Sequence, residues 1–131
     1  MRGFGILICA GLILALTGCF SVENNHLNPE DFAVYLKNAG VQVDNVRPLS
    51  PEPFRASRGA GILIAGSEIG VYKFDTSSRV QRERLERVRE TGRFYINGIP
   101  YPVEVSGSFA VMGLDKNTQK RKIIEVLRKF E

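Results

Sequence analysis

Two apolar runs, Phe94-Tyr95-Ile96 and the segment that begins at Ile99, are joined by Asn97 and Gly98 alone, and this junction restricts the fold more than any other stretch. Asn-Gly accepts the positive φ angles of a type I′ turn, whose twist matches that of the flanking strands, so an antiparallel hairpin is predicted. Pro100 and Pro102 have no N–H to give a ladder. The strand after the turn therefore lies at a sheet edge, or carries the prolines at its unpaired start.

Other segments follow the same logic. Ile62-Leu63-Ile64-Ala65, a Gly66-Ser67 turn and residues 68–74 make a second hairpin. Ser106-Gly107 turns the chain into residues 109–114. Val41, Val43 and Val46 predict a strand before residues 47–61, which are rich in Pro, Ser, Arg and Gly and read as the longest irregular stretch. Loops of that length often carry binding function.

Three helices are predicted. The first has Asn28 as cap, Pro29 at its first position, Glu30 and Asp31 at its positive end, and an apolar stripe of Phe32, Tyr35 and Leu36 before Gly40. The second is capped by Asp75 or Ser77 and stops at Gly92, with a narrow stripe of Val80, Leu85 and Val88. The third is capped by Asp115 and presents Ile123, Ile124, Leu127 and Phe130. The expectation is an α+β fold: a mainly antiparallel sheet built from hairpins, with three helices packed on one face.

The N-terminus carries an address. Arg2 precedes an uncharged run over residues 4–16, which as a helix rises only about 20 Å, short of a 30 Å hydrocarbon core. Length, charge and position are those of a secretory signal. Leu16-Thr17-Gly18-Cys19 then resembles the lipobox of bacterial lipoproteins. That resemblance implies a diacylglyceryl group on the Cys19 sulfur and cleavage after Gly18. Two acyl chains hold a protein at a bilayer where a single chain is marginal. The implied organisation is a signal peptide over residues 1–18, a lipidated cysteine with a flexible tether over 19–27, and a single α+β domain over 28–131. The implied location is extracytoplasmic and membrane-anchored, with membrane lipid as the first partner through Cys19.

Catalytic chemistry finds little support. The only cysteines are Cys9 and Cys19, and the only histidine, His26, sits in the tether, so neither a nucleophile–histidine pair nor a His/Cys metal site is expected. No residue is assigned a catalytic or metal-binding role, and no cofactor is expected beyond the covalent lipid. Gly59-Ala60-Gly61 precedes a strand instead of opening a helix, unlike a phosphate loop. Asp44, Glu68, Asp75 and Glu104 are scattered. A carboxylate-dependent envelope hydrolase requires two of them to meet in a cleft.

Basic residues offer more. Residue totals are 18 basic to 14 acidic, or 17 to 14 once residues 1–18 are removed. Arg79, Arg82, Arg84, Arg87 and Arg89 share the second helix with Glu83, Glu86 and Glu90, a pattern that serves either as an ion-paired solvated face or as a surface for an anionic partner. Lys116, Lys120, Arg121, Lys122, Arg128 and Lys129 decorate the third. Nucleic acid is not expected, because the protein is exported and the interleaved glutamates repel phosphates. Of the aromatics Phe94, Tyr95, Tyr101 and Phe109, all are expected in the core, with Tyr95 and Tyr101 forming a sticky platform if they face outward.

The reading is therefore a non-enzymatic envelope binding module. Its expected partners are an envelope protein, a cell-wall polymer or anionic lipid headgroups. Its expected surfaces are the arginine helix and residues 47–61, with Arg82, Arg84 and Arg89 as the residues to replace. The alternatives are the carboxylate hydrolase and a structural subunit marked by an exposed apolar patch.

Overall fold

A computed structural model describes residues 22–131; the expected signal peptide, the lipobox-like Leu16-Thr17-Gly18-Cys19 and the expected lipidation at Cys19 lie outside the described residues. Helix α1 (Pro29–Asn38) begins at the predicted cap, where Asp31 accepts the Asn28 N–H at 2.7 Å. The chain then makes β1 (Val43–Pro48), a 3-10 turn (Glu52–Phe54), β2 (Arg58–Ile64), β3 (Ser67–Lys73), α2 (Arg79–Thr91), β4 (Arg93–Ile96), β5 (Ile99–Ser106), β6 (Phe109–Met112), a second 3-10 turn (Leu114–Lys116) and α3 (Lys120–Leu127). One six-stranded sheet runs β1-β2-β3-β6-β5-β4. Every neighbouring pair is antiparallel, so the fold is α+β as expected.

The Asn97-Gly98 hairpin forms with φ of +51° and +79°, and Ile96 faces Ile99 across it. β5 pairs with β6 only from Val103 onward. The Val103 N–H points toward the β4 side, to the Gly92 carbonyl at 3.0 Å. By strand alternation Pro100 and Pro102 turn their missing donors the other way, toward the stretch where β6 has ended. The prolines thus occupy the half-paired start of the strand.

The helices do not share one face. Phe32, Leu36, Ile123, Leu127 and Phe130, from α1 and α3 or just past its end, pack on Ile62, Ile64, Ile69, Val71, Phe109 and Val111. Leu85 of α2 belongs to a separate core with Tyr72, Phe74, Phe94 and Ala110. Val71 and Tyr72 are consecutive, as are Ala110 and Val111, so the two cores sit on opposite sides of the sheet. The predicted single helical layer is corrected to two, with α2 alone on the second side. Strand β6, Phe-Ala-Val-Met without a polar residue, is the kind of run that two-sided burial requires.

Four local expectations also shift. The β2–β3 turn falls at Ala65-Gly66, one residue early, with Ala65 at φ +52°. β2 begins inside the segment read as loop, because Gly59 and Gly61 are strand residues. An added Cβ on Gly59 would stand 3.0 Å from the Tyr72 ring, and one on Gly61 2.6 Å from the Glu68 carboxylate. The glycines are there for cross-strand clearance, not for a turn. Helix α2 is capped by Ser78, whose Oγ accepts the Gln81 N–H at 3.4 Å. Helix α3 starts at Lys120 instead of at Asp115. Its entry is held by buried Asn117, which donates to the carbonyls of Ile64 (2.9 Å) and Ser67 (3.2 Å) and accepts from the Gln119 N–H (2.9 Å).

The predicted tether is shorter than residues 19–27. Asn24 is fully buried, so the later part of that stretch is packed against the domain. His26 is solvent-exposed.

Candidate functional site: an arginine-lined groove

The loop between β1 and β2 is anchored by an aromatic plug. Phe54 stacks on Phe94 with centroids 4.1 Å apart at 17°, and meets Tyr72 edge-on at 4.7 Å. Offset stacking of this kind adds about 0.5–1.5 kcal/mol beyond area burial. The next residue, Arg55, takes a left-handed conformation at φ +55°. A side chain there costs about 1–2 kcal/mol. The cost is offset by two donors from α2 on the Arg55 carbonyl, Gln81 Nε2 at 2.8 Å and Arg84 Nη1 at 3.3 Å.

These contacts bring the two expected surfaces into one place. A groove of about 430 Å³ runs between the loop, α2 and the β4 edge, lined by Phe54, Arg55, Arg84, Arg87, Arg93 and Tyr95, among others. None of its lining residues is a carboxylate. Tyr95 stands 55% exposed at its end, while Phe94 is buried beneath. Tyr101 is half-buried against the second core. Four guanidinium groups around a partly apolar floor raise the local positive potential and present flat donor forks to an anion.

The five arginines of α2 separate by helix face. Arg84 and Arg87 look into the groove. Arg79 pairs with Glu83 at 3.1 Å and Arg89 with Glu86, while Arg82 donates to the Thr76 carbonyl at 2.8 Å and Arg89 to that of Gly107 at 3.0 Å. Residues 82 and 89, two of the three proposed from sequence for replacement, are thus engaged on the other side. Arg55 and Arg93 escaped the sequence reading because they lie outside the helix. Their only signal was position, one in the proline loop and one directly after the helix stop.

A second cleft, about 340 Å³, opens where β6 ends between β3 and β5. It is lined by Tyr101, Val103, Met112 and Leu114, with Glu68, Glu104, Asp115 and Lys120 among its polar residues. Glu68 and Glu104 therefore reach one cavity, whereas Asp44 is elsewhere, hydrogen-bonded by Gln42 at 3.2 Å. Asp75 accepts from the Ser77 backbone and hydroxyl in the turn that leads to α2. Glu68 receives two bonds from Arg47, 2.6 and 2.8 Å. The Arg47 guanidinium holds its carboxyl below the ordinary value, and the Asp115 carboxylate holds the Lys120 ammonium above its own.

The Arg47–Glu68 contact makes stability acid-sensitive. Because the folded-state pKa of Glu68 is depressed, its contribution is complete above the unfolded carboxyl value near 4.5 and is lost as pH falls through the folded value. Glu68→Gln is expected to flatten that part of the stability curve below pH about 4.5, with a small effect at neutral pH because the pair is partly wet. Denaturant titrations of both proteins across the acid range would show it, and curves that remain parallel would contradict it.

Among the described residues, no group of three or more His, Cys, Asp or Glu side chains could hold a metal ion. No helix there is long and apolar enough to cross a membrane. The exposed large apolar side chains are Val34 on α1, Val80 on α2, and Tyr95 and Ile99 on the β4–β5 hairpin. No protein-family model, curated protein or solved structure matches the chain.

Proposed function

We propose that the protein is a lipid-anchored extracytoplasmic binding module whose groove, formed by Arg55, Arg84, Arg87 and Arg93, receives an anionic component of the cell envelope. The observation that carries this reading is the convergence of four arginines from three separate segments, with no carboxylate among the groove's lining residues. Solvated ion-paired helices place their charges beside opposite ones, as Arg79 and Arg89 do here. Arg84 and Arg87 instead face two further cations and an aromatic floor. The anchor is the diacylglyceryl group implied by the lipobox at Cys19, and intact mass of the membrane-extracted protein would establish it.

A hydrolytic reading centres on the second cleft. Carboxylate chemistry on glycosides needs one acid whose pKa is raised so that it keeps its proton. Both Glu68 oxygens are engaged by Arg47, which occupies this carboxylate and favours the binding reading.

The test is binding of residues 20–131, which lack the acyl anchor, to isolated cell-wall polymer and to anionic phospholipid vesicles at low and high salt. Arg84→Ala combined with Arg87→Ala is expected to weaken association with one of them about tenfold or more, since shielded hydrogen bonds to charged groups contribute about 1.5–3 kcal/mol each. Arg79→Ala with Arg82→Ala should stay within about twofold of the parent, as exposed pairs contribute little. Equal losses from both pairs would contradict the groove.

A further inference from the structure

Asn24 and Asn25 are locked to one end of the sheet. Asn24 Nδ2 donates to the carbonyls of Ser106 (3.2 Å) and Phe130 (2.9 Å), and its Oδ1 accepts the Ser108 N–H at 2.7 Å. Asn25 donates to Asp75 at 3.3 Å and accepts the Thr76 N–H at 3.0 Å. Gly107 leaves the room that the Asn24 carboxamide fills. The chain therefore enters beside the β5–β6 turn and the approach to α2. That end also holds Lys73 and Ser106, which both face Phe109. The turns at Ala65-Gly66 and Asn97-Gly98 lie at the opposite end of the strands.

From Cys19 to Asn24 is five residues, a link that can span at most about 18 Å. A domain of about 100 residues has a radius of gyration near 13 Å and is therefore roughly 30 Å across. Turning such a body over would lift Asn24 by most of that width, farther than the link allows. We infer that the end bearing Asn24, the Ser106–Ser108 turn and the α2 approach is held against phospholipid headgroups, and that the Ala65-Gly66 and Asn97-Gly98 turns point away from the bilayer. This rests on lipid attachment at Cys19 as proposed above, and is independent of what the groove binds.

The chemistry of the end fits headgroups and not the acyl interior. Asn25, Thr76 and Ser77, half-buried or exposed, supply an amide and hydroxyls, while Ser108 is buried. Arg82 and Arg89 each give one donor to backbone carbonyls of this end and hold a cationic group beside it. Arg89 pairs with Glu86, and the Glu23 and Asp75 carboxylates lie at the same end, so charge supplies no net attraction and orientation comes from the short link.

The full chain, acylated in a bacterial host, would be reconstituted into vesicles of mixed zwitterionic and anionic phospholipid. A fluorophore on Ser77→Cys or on Ile99→Cys would be quenched by headgroup-labelled lipid. Quenching is expected to be several-fold stronger at 77 than at 99. Equal or inverted quenching in acylated, vesicle-bound protein overturns the orientation and leaves the anchor standing. Protein that carries no diacylglyceryl mass and stays in the aqueous phase overturns both. Inserting about twenty Gly-Ser residues after Phe20, with a mean reach near 25 Å, should bring the two positions toward equality. An undiminished contrast in that variant would show that the link does not set the orientation.

Discussion

Alanine in place of Phe130 is expected to lower the unfolding free energy by about 3–5 kcal/mol, the range for removing a buried aromatic ring. The residue lies beyond the last turn of α3, where truncation would ordinarily be harmless. Here its ring is fully buried and meets Phe32, Tyr35 and Phe109 edge-on at 5.1, 4.8 and 4.9 Å. It joins α1 to β6. In a domain of about 100 residues, 1 kcal/mol corresponds to a melting shift of roughly 4–8 °C, so the loss should exceed 10 °C. Denaturant midpoints with an unchanged slope would confirm a pure stability effect. A loss below about 1 kcal/mol would mean that the ring is dispensable to this core.

Asn24→Ala is expected to cost about 2–4 kcal/mol. The variant leaves a buried Ser108 N–H and the Phe130 carbonyl without partners, and an unsatisfied buried group costs about 1–3 kcal/mol. Asn24→Asp should do no better. Its carboxylate keeps the acceptor for Ser108 but faces the carbonyl oxygens of Ser106 and Phe130 with no proton to offer. Asn24 is bonded to the Phe130 backbone carbonyl, which alanine keeps but whose position the ring fixes, so the double variant should depart from the sum of the two. Thermal melts of the four proteins would measure the coupling. Exact additivity would separate the N-terminal lock from the aromatic core it is bonded to.

These two residues also show why parts of the chain misled at the sequence level. Asn24 sits in a polar stretch without periodicity, and its three hydrogen bonds reach residues 82 to 106 positions away. No local pattern encodes such partners. Gly59 and Gly61 read as loop residues because glycine is the commonest turn former. Their strand role appears only once Tyr72 and Glu68 are placed over them. Helix α2 has a narrow apolar stripe, which says that it covers something but not which side of the sheet it takes. Only Leu85 of its residues is buried, so a short stripe suffices on the second face.

The groove divides in the same way. Arg84 and Arg87 were legible as members of a basic helix, and residues 47–61 as a loop suited to binding. That the two meet depends on Phe54 stacking on Phe94 and on the Arg55 carbonyl receiving donors from α2. Arg55 and Arg93 join the set only through that meeting.

The sequence by itself determined the local conformations and the class of fold: the Asn-Gly hairpin, the cap and stop of α1, the glycine that ends α2, and the antiparallel α+β plan. These follow from backbone sterics and periodicity, which act over a few residues. The tertiary structure alone decided the division of the helices between two faces, the burial of Asn24 and the side of α2 that faces the groove. Those outcomes depend on burying apolar surface and satisfying polar groups between segments far apart in the chain, and such energies are set by the assembled packing and not by neighbouring residues.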